Sequence, residues 1–541
     1  MTAIALLALV GCDKDGDDTG ALAQLAVHTS QYSITLDDLS MAVPGVVGVP
    51  NLDDDDSDGT TDWVHGLGRE GEEDFTTIQL EMPHRTTLTL LDGADKVRIY
   101  HEGTQILGGE TTSVDLSRND SLDDFQVEFS DYRATAMLQV LDYQTQDVIE
   151  VQLTASPMIL NHHLQPSELV TMVNMSIWGG NASMQQDYQD NLGEMFDPVE
   201  GANFGYDVWI QDELEFTNTI GADGHLDVVM DLIRDGQGIL GGNMGLASVA
   251  TKNWVGPDMG RGVWGTGPAT SQDYGGNIEV APPTSVDGVD YPFGRIYYGA
   301  QGRYDPAEEV KEHFANQAIQ APFELDSSWL CVGHVDEWFT TIPVEGSRLG
   351  WKLVYSDMEA AREVLEAADA STTITRFAQD KEWATIGELV EDQAMWTQNE
   401  NLTNNVLEPQ LDILKAELGL TEDDIIRIPG LFETAAQCGG GVAALFPGMA
   451  NLIVATDQDG VTTLFVPDPM MRTNVSDESS DPIIAAFSAL MPPELNLVFV
   501  DDWDVYHLGL GEVHCGSNVI RTPYEDATWW ADGWHLMQES N

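Results

Sequence analysis

The chain has 541 residues, and its 22 Lys and Arg residues stand against 91 Asp and Glu residues, which gives a formal net charge of −69. Binding nucleic acid through phosphate contacts requires clustered Lys and Arg, so this composition argues against a nucleic-acid partner. The acidity does not imply disorder, because 42% of the residues are hydrophobic and 8% are aromatic, enough to form packed cores. Two explanations of the acidity remain open: a surface adapted to high salt, and an attraction for cationic substrates and calcium.

Residues 1–20 have the features of an export segment. The apolar stretch from Ala3 to Val10 is too short to span a bilayer as a helix. It runs into Leu9-Val10-Gly11-Cys12, which resembles the lipobox of bacterial lipoproteins, and residues 13–20 read as a flexible tether. We therefore predict an exported protein, either secreted or anchored at a bacterial membrane through acylated Cys12. No basic residue precedes the apolar stretch, so a plain export signal or a frayed terminus is the alternative.

Residues 51–62 contain acidic residues at regular spacing. Counted from Asp54, carboxylates fall at positions 1, 3, 5 and 9 with a glycine at position 6; the residues are Asp54, Asp56, Asp58, Asp62 and Gly59. Alternate carboxylates around a glycine bend are how a loop wraps oxygen ligands round a calcium ion. His65 stands at position 12 in place of the glutamate of an EF-hand, so we predict a different calcium loop, which Asp74 or a neighbouring glutamate can complete. A solvated acidic turn is the alternative.

Two regions of different pattern follow, which together predict an α+β multidomain protein. Residues 86–155 show short alternating runs with turn signals such as Asp92-Gly93, which predicts an immunoglobulin-like β-sandwich; with the acidic loop it forms a calcium-binding domain over residues 21–156. Residues 157–541 alternate strand-like segments with amphipathic helices, which predicts an α/β domain. One such helix is expected over 357–368. Another has an apolar face that ends before Gly419 and consists of Leu407, Leu411, Leu414 and Leu418.

The cysteine spacing fits neither a zinc site nor a disulfide scaffold. Cys331 and Cys438 are therefore expected to be separate core residues. Cys515 lies in the glycine-bounded segment Gly511-Glu512-Val513-His514-Cys515-Gly516 and is either a small buried residue or a nucleophile. The pair His162-His163 has no second ligand pair that would suggest a metal site.

Together with two other segments, Cys515 supplies the groups needed to attack a guanidinium. The guanidinium is planar and cationic, so carboxylates can bind its N–H edges in fork geometry. Its central carbon is a poor electrophile, so attack favours a thiolate, and the departing nitrogen needs a proton donor such as histidine. Asp212, Asp336, His334 and Cys515 can fill these places, although sequence spacing alone does not show that they converge.

The three segments resemble the catalytic motifs of peptidylarginine deiminases, in the family's order. They are Trp209-Ile210-Gln211-Asp212-Glu213, Val332-Gly333-His334-Val335-Asp336-Glu337 and Gly511-Glu512-Val513-His514-Cys515-Gly516. The similarity continues through Gly275-Gly276-Asn277-Ile278-Glu279, through Tyr291-Pro292-Phe293-Gly294-Arg295 and through Trp529-Trp530, and it covers most of residues 157–541. The acidic loop and sandwich resemble the family's calcium-binding middle domain.

This resemblance implies roles for the site residues. Cys515 would be the nucleophile, His334 the acid and base, and Asp212 and Asp336 the carboxylates that hold the guanidinium. In the substrate-binding part, Trp209 would pack along the aliphatic stem and Arg234 would hold the peptide backbone. Residues 157–541 would form a catalytic domain with the five-fold pseudosymmetric α/β propeller of guanidino-group-modifying enzymes.

The implied activity is calcium-dependent conversion of arginine in peptides or proteins to citrulline and ammonia through a thiouronium on cysteine. A deiminase of free arginine or agmatine is the nearest alternative. A catalytically inactive calcium-binding surface protein is the alternative from another class. At the substrate-binding arginines of some family members, this chain has Gly236 and Gly509, which leaves the peptide specificity open.

The resemblance also implies two calcium sites in the catalytic domain. The first would use side-chain and backbone oxygens of Gln211, Glu215, Glu279, Gly275 and Ile278. The second would use Glu213, Asp231 and Asp235, with Leu232 in the place of a serine ligand. Carboxylate, amide and carbonyl oxygens are the ligands that calcium prefers. Gln211, Glu213 and Glu215 alternate around Asp212, so we expect them to share a face opposite it if the segment is extended.

Overall fold

The computed structural model describes residues 26–29, 33–35, 45–65, 74–119, 121–175, 180–232, 234, 252–264, 270–300, 305–524 and 528–539. The predicted export segment 1–20 with Cys12, and the candidate calcium ligand Asp235, lie outside the described residues. Among the helices in these ranges, none is both long enough and apolar enough to cross a membrane.

The N-terminal part of the described chain folds into two β-sheets that enclose one hydrophobic core. The first sheet is antiparallel, with the strand order Ser33–Thr35, Ala26–Thr29, Thr76–Glu81, Asp123–Phe129, Val97–His101 and Thr104–Leu107. The second has the order Val46–Gly48, Val148–Ala155, Thr135–Asp142, Thr86–Leu90 and Ser113–Leu116. Along Thr86–Leu90 every second side chain is buried, because successive residues of a strand face opposite sides of the sheet.

Beyond residue 158, five small sheets of the described chain repeat one arrangement: two antiparallel strands, and a third strand parallel to the second. They are Leu214–Ile220, His225–Asp231 and Met259–Gly262; Ile278–Ala281, Arg295–Ala300 and Phe323–Asp326; Phe339–Pro343, Trp351–Asp357 and Ile425–Pro429; Ile453–Thr456, Thr462–Pro467 and Asn496–Val500; and Ser517–Arg521, Ser167–Asn174 and Val199–Glu200. Ile159–Leu160 adds a further strand beside Leu214–Ile220 in the first of these five sheets. In the fifth, the strand Ser517–Arg521 pairs with Ser167–Asn174, so the two ends of the region meet in one sheet.

Two hairpins and a set of helices fill the connections between the sheets. The hairpins pair Thr284–Val286 with Val289–Tyr291 and Phe432–Thr434 with Val442–Ala444. The α-helices of the described chain are Ala182–Leu192, Ile210–Glu213, Glu308–Gln317, Met358–Ala367, Phe377–Asp380, Ile386–Glu391, Gln393–Leu402, Glu408–Leu418, Pro482–Leu490, Trp529–Asp532 and Trp534–Glu539. The predicted α+β multidomain class is therefore confirmed at this level.

Both helices predicted from local pattern are present. Met358–Ala367 begins after Asp357, whose carboxylate accepts a hydrogen bond from the backbone N–H of Ala360 at 2.8 Å and so caps the first turn. Glu408–Leu418 buries Leu414 and its neighbours on one face and ends at Gly419, which has a φ of 64°. Glycine adopts this left-handed conformation without the steric cost that a side chain brings.

Cys331 and Cys438 form a disulfide, so the prediction of two separate core cysteines is wrong. Their Cα atoms lie 5.4 Å apart across a sequence separation of 107 residues. Backbone hydrogen bonds hold the two segments together beside the bridge: the N–H of Cys331 donates to Val442 O at 2.8 Å, and the N–H of Val442 donates to Trp329 O at 3.0 Å. The pairing depends on this long-range contact, which cysteine spacing in the sequence does not encode.

We expect the double variant Cys331→Ser/Cys438→Ser to lower the free energy of unfolding by about 2–5 kcal/mol, because a long closed loop restricts the unfolded chain. Urea unfolding followed by tryptophan fluorescence measures the change. The control is the wild type under reducing agent, which should shift to the midpoint of the double variant, whereas the variant itself should not respond. A wild-type midpoint that is insensitive to reductant would contradict the bridge.

Candidate active site

Cys515 lies in the loop that leads into the strand Ser517–Arg521 and is only 6% exposed. Its Sγ is 3.4 Å from Nδ2 of Asn451 and 3.7 Å from Oδ2 of Asp336. Asn451 also orders the loop, because its Oδ1 accepts hydrogen bonds from the backbone N–H groups of His514 at 2.9 Å and of Cys515 at 3.3 Å. Sequence reasoning missed Asn451, which lies 64 residues from the cysteine and stands in no motif of its own.

His334 immediately precedes the short 3-10 turn Val335–Glu337. Its backbone N–H donates to Oε1 of Glu337 at 2.8 Å, which fixes the start of the turn. Its Nε2 lies 2.8 Å from the carbonyl oxygen of Ser271. Because a carbonyl oxygen only accepts, Nε2 carries the proton, and Nδ1 faces Oδ1 of Asp212 at 3.6 Å. The ring is therefore held with one nitrogen directed at the predicted catalytic carboxylate.

The predicted catalytic groups converge beside the backbone of Gly276. A Cβ atom added there would lie 2.7 Å from Nδ1 of His334 and 3.3 Å from both Oδ1 of Asp212 and Oδ2 of Asp336. Cys515 joins the group through its contact with Asp336. The imidazole and the two carboxylates thus surround one point, which only glycine leaves open, and the thiol adjoins this group at Asp336.

The electrostatic surroundings keep the thiol protonated in the absence of a bound cation. Burial raises the pKa of Cys515 well above its ordinary value, and the charges of Asp336 and Asp212 raise it further. Burial also raises the pKa of Asp212, against the opposing effect of the Arg234 guanidinium. Oδ1 of Asp212 and Oδ1 of Asp336 are buried and have no hydrogen-bond partner among the described residues. These two oxygens are where a planar cationic ligand can donate.

Arg234 packs against the same carboxylate. Its guanidinium donates to Oδ2 of Asp212 and to both carboxylate oxygens of Asp207, at 3.2 Å and 3.1 Å. It also lies 5.0 Å above the ring of Tyr274, and its side chain is 12% exposed. Arg234 therefore occupies one oxygen of Asp212 and leaves the other facing His334. Asp207 is a partner that the sequence motifs did not indicate.

Trp209 lies over the loop that carries the cysteine. Its indole contacts the backbone of Gly509 and Gly511, where an added Cβ would collide with the ring or lie 3.0 Å from it. The ring is 5.5 Å from that of Tyr506 and remains partly exposed. The glycines therefore let a large apolar surface border the site, as expected for a residue that packs along a substrate stem.

The residues of the first predicted calcium site lie together. Gln211, Glu215, Glu279 and Ile278 line one cavity of about 40 Å³, and a Cβ at Gly275 would lie 2.6 Å from Oε1 of Glu215. Burial raises the pKa of Glu279 to about 7 and that of Glu215 well above its ordinary value. This oxygen-rich set of buried, costly carboxylates fits a divalent cation such as calcium.

The segment around Asp212 is not extended, so the expected alternation of ligands is wrong. Ile210–Glu213 forms a single helical turn, and the strand begins only at Leu214. Gln211 and Glu215 nevertheless meet, since Nε2 of Gln211 donates to Oε1 of Glu215 across four residues. Glu213 instead faces Arg234, whose Nε lies 3.8 Å from its Oε1. Gln211 and Glu215 thus lie together, whereas Glu213 lies beside Arg234.

The described residues of the second predicted calcium site are adjacent through the backbone. Leu214 pairs with Asp231 across two antiparallel strands, and the N–H of Leu232 donates to Glu213 O at 3.1 Å. The carboxylate of Asp231 also forms an ion pair with NH2 of Arg261 at 2.6 Å. The position of the third proposed ligand falls in the part of the chain that is not described.

The acidic loop folds around Asp54. Its carboxylate accepts hydrogen bonds from the backbone N–H groups of Asp58 at 2.9 Å and of Gly59 at 2.7 Å, and Gly59 has a φ of 88°. One carboxylate oxygen from each of Asp54, Asp56 and Asp58 lies within 4.8 Å of the other two. A second group with the same spacing consists of Asp56, Asp62 and His65. The loop therefore brings the predicted carboxylates together, although Asp56 and Asp58 are exposed.

We expect Cys515 to react with iodoacetamide at a rate whose apparent pKa lies above the roughly 8.5 of a free cysteine. Asp336→Asn should lower that pKa and speed the reaction at pH 8 several-fold, because it removes a negative charge that raises the pKa of the thiol. Asp227→Asn is the matched control, since the pKa of that carboxyl is shifted by burial and Glu168. An unchanged or higher thiol pKa in Asp336→Asn would contradict this assignment.

Comparisons with known proteins agree with this constellation. The family model described as protein-arginine deiminase matches residues 144–531. The chain is 33% identical over 339 residues to protein-arginine deiminase type-4 of Rattus norvegicus, which covers 60% of this chain and 48% of that protein. It is 32% identical over 394 residues to the type-1 enzyme of Homo sapiens, which covers 69% and 56%. The chain thus spans about half the length of the curated relatives it matches.

Among solved structures, agmatine deiminase from C. jejuni and its cysteine-to-serine variant with substrate bound each align with 69% of this chain and 98% of their own. Their sequence identity is 10%, and their TM-scores are 0.33 and 0.36, too low to support an argument. The match of the family model does not depend on these two structures. It covers well over half of the chain and includes every residue that surrounds Gly276. The chain belongs to the protein-arginine deiminase family.

Proposed function

We propose that the protein hydrolyses the guanidinium of arginine in peptides or proteins to citrulline and ammonia, in a calcium-dependent reaction. The observation that carries the proposal is the convergence of Cys515, His334, Asp212 and Asp336 at Gly276. Oδ1 of Asp212 and Oδ1 of Asp336 are buried without hydrogen-bond partners within the described chain, and a guanidinium supplies several N–H donors for such oxygens. The charge, hydrogen bonds and nucleophile of the site thus suit one planar cationic substrate.

Binding prepares the nucleophile. When a guanidinium lies between Asp212 and Asp336, its positive charge lowers the pKa of Cys515, and the thiol loses its proton to solvent. The thiolate sulfur then forms a bond to the guanidinium carbon. The bond from this carbon to the departing nitrogen breaks as His334, in its imidazolium form, supplies the proton on Nδ1, so that ammonia leaves and a thiouronium remains on the sulfur.

In the second half of the reaction, His334 accepts a proton instead of donating one. A water molecule gives a proton to the imidazole and attacks the thiouronium carbon. The bond between carbon and sulfur then breaks as the new hydroxyl group loses its proton to solvent, which releases citrulline and regenerates the thiolate of Cys515. The carbonyl of Ser271 holds the ring in place, since it binds the N–H on Nε2 and leaves Nδ1 for both proton transfers.

Substrate positioning falls to Trp209 and Arg234 in this proposal. Arg234 binds only one oxygen of Asp212, so it can stay beside the substrate and donate to a peptide carbonyl. Trp209 offers an apolar surface next to the cysteine loop for the aliphatic stem. A peptide thereby gains a contact that free arginine lacks, which is why we favour peptidyl-arginine as substrate.

Calcium would be held by the two oxygen sets of the catalytic part and by the acidic loop. It would supply positive charge for carboxylates such as Glu215 and Glu279, whose burial is otherwise costly. Gln211 and Glu213 flank Asp212 in the same helical turn, so fixing them also fixes the carboxylate that receives the substrate. The proposed ligands are Gln211, Glu215, Glu279, Gly275 and Ile278; Glu213, Asp231 and Asp235; and Asp54, Asp56, Asp58 and Asp62.

The finer architecture is part of the proposal. Five sheets with one shared arrangement, the last one closed by the two ends of the region, support a five-fold pseudosymmetric propeller over residues 157–541. The two sheets around a common core support an immunoglobulin-like domain over residues 21–156. Export, and acylation of Cys12 within residues 1–20, remain predictions from the sequence.

Replacing Cys515 with Ala or Ser should reduce citrulline formation from a blocked arginine peptide by at least about 10³-fold, because water cannot replace the thiolate. His334→Gln should lower the rate of citrulline formation by about 10²- to 10⁴-fold. Citrulline and ammonia are measured in the same samples, and calcium binding by calorimetry should persist in Cys515→Ala. Cys331→Ser/Cys438→Ser is the control for loss of a cysteine at another place. Full turnover by Cys515→Ala would end the nucleophile assignment, and equal rates on free arginine would end the peptide preference.

Excess chelator should abolish citrulline formation, and added calcium should restore it. Glu279→Gln should raise the calcium concentration needed for half-maximal activity at least about 10-fold, because a ligand carboxylate is lost. Its calcium affinity, measured directly by calorimetry, should fall in parallel. The matched control is Glu150→Gln, which alters an exposed carboxylate of the sandwich. Undiminished rates in chelator would refute the coupling of the metal to catalysis.

A further inference from the structure

Two imidazoles and a carboxylate face one another behind the nucleophile, and the proposed reaction uses neither imidazole. They belong to His163, His514 and Glu279, and one ligand atom from each lies within 4.8 Å of the other two. Nε2 of His514 is 3.5 Å from Oε1 of Glu279. The rings of the two histidines are 6.2 Å apart between centroids and inclined at 71°. His163 is 9% exposed and His514 is 6% exposed, so the group lies inside the protein.

Hydrogen bonds orient both rings in the way that metal-binding histidines require. Nδ1 of His163 lies 2.8 Å from the carbonyl oxygen of Thr341, which can only accept, so this nitrogen carries the proton. Nδ1 of His514 lies 2.8 Å from Oδ2 of Asp336 and donates to that carboxylate. In each ring Nε2 is left with its lone pair. Histidines that bind metal usually donate their other ring nitrogen to a carbonyl or carboxylate in this manner.

The third group and the surrounding space complete the site. Oε1 of Glu279 is buried and has no hydrogen-bond partner in the described part of the chain. All three side chains line the cavity of about 40 Å³ that Gln211 and Glu215 also border. A cavity of this volume holds an ion or a few water molecules. An unpartnered oxygen and two oriented nitrogens thus surround a small polar space.

We propose that His163, Glu279 and His514 bind a divalent transition-metal ion, with Zn²⁺ as the physiological candidate. Two imidazoles, one carboxylate and a water molecule form a common zinc coordination set, whereas calcium takes oxygen ligands. In a tetrahedral site with bonds of about 2.1 Å, ligand atoms lie about 3.4 Å apart, close to the present separation of His514 and Glu279.

Zinc and calcium exclude each other at this site. Both need the carboxylate of Glu279, which the proposed calcium site shares. Arg521 lines the same cavity, where its guanidinium donates to the carbonyls of Gln165 and Val454 and adds a fixed positive charge. If the protein has the proposed function, bound zinc inhibits it, because zinc displaces calcium and holds His514 next to Cys515.

The test uses Co²⁺ as a spectroscopic probe on the full-length chain. Cys515→Ala serves as the background, so that the thiolate cannot bind the metal. One equivalent of Co²⁺ should give the intense visible absorption of a tetrahedral nitrogen and oxygen site, and Zn²⁺ should remove it. His163→Gln in this background should weaken that binding at least about 10-fold while calcium affinity, measured by calorimetry, stays unchanged. His225→Gln is the matched control, because it removes an exposed histidine of the same region.

Each outcome decides the proposal. Loss of the Co²⁺ absorption in His163→Gln with calcium binding retained supports the site and shows that the variant is folded. Absorption that is absent in the background, or equal with and without His163, overturns it. Calcium should displace Co²⁺ competitively, and simultaneous binding of both ions would overturn the shared use of Glu279. None of these readouts depends on turnover, so they remain decisive if the enzyme proves inactive on arginine.

Discussion

The site depends on carboxylates that the fold buries before any cation has arrived. Asp212 faces Gly276 with Oδ1 and Asp336 faces it with Oδ2, while Oδ1 of each has no hydrogen-bond partner among the described residues. Glu215 and Glu279 line the cavity just behind. Moving a carboxylate out of water costs several kcal/mol unless a partner compensates, which is why the pKa values of Asp212, Glu215 and Glu279 are raised. The fold thus places several carboxylates that need a positive partner close together.

Different cations can compensate these carboxylates at different oxygens. Arg234 binds one oxygen of Asp212, and the other oxygen is the one we propose for the guanidinium of the substrate. The cavity behind is where we propose that metal ions bind, and His514 links the two places because it contacts both Asp336 and Glu279. Burial, and after it the charges of Asp336 and Asp212, raise the pKa of the Cys515 thiol well above its ordinary value. On the proposed function, the charge of a bound guanidinium would lower the pKa of this thiol and so activate the nucleophile.

Local pattern was enough to predict part of the structure. The leucine spacing before Gly419 and the amphipathic pattern over residues 357–368 predicted two helices, because helix periodicity is a property of neighbouring residues. The chemistry of guanidinium, together with the motif resemblance, brought the four catalytic side chains to notice, and their convergence at Gly276 agrees with it.

The rest depends on contacts between distant segments, which one sequence does not reveal. Asn451 orders the cysteine loop from 64 residues away, and the Cys331–Cys438 bridge spans 107 residues. The pair His162-His163 suggested no metal site because the second imidazole comes from His514, far along the chain. The helical turn at Ile210–Glu213 was missed for another reason: one turn is too short to show a period.

The central claim is that the sulfur of Cys515 lies where two carboxylates receive a planar cation. The most direct measurement compares two alkylating reagents of similar size, a cationic haloacetamidine and a neutral haloacetamide, by the rate at which each labels Cys515 in the native chain. The account predicts faster labelling by the amidinium reagent, at least about 10-fold after correction for intrinsic reactivity, and loss of this preference in Asp212→Asn and Asp336→Asn. Equal labelling by both reagents, or a preference that survives both substitutions, would contradict it.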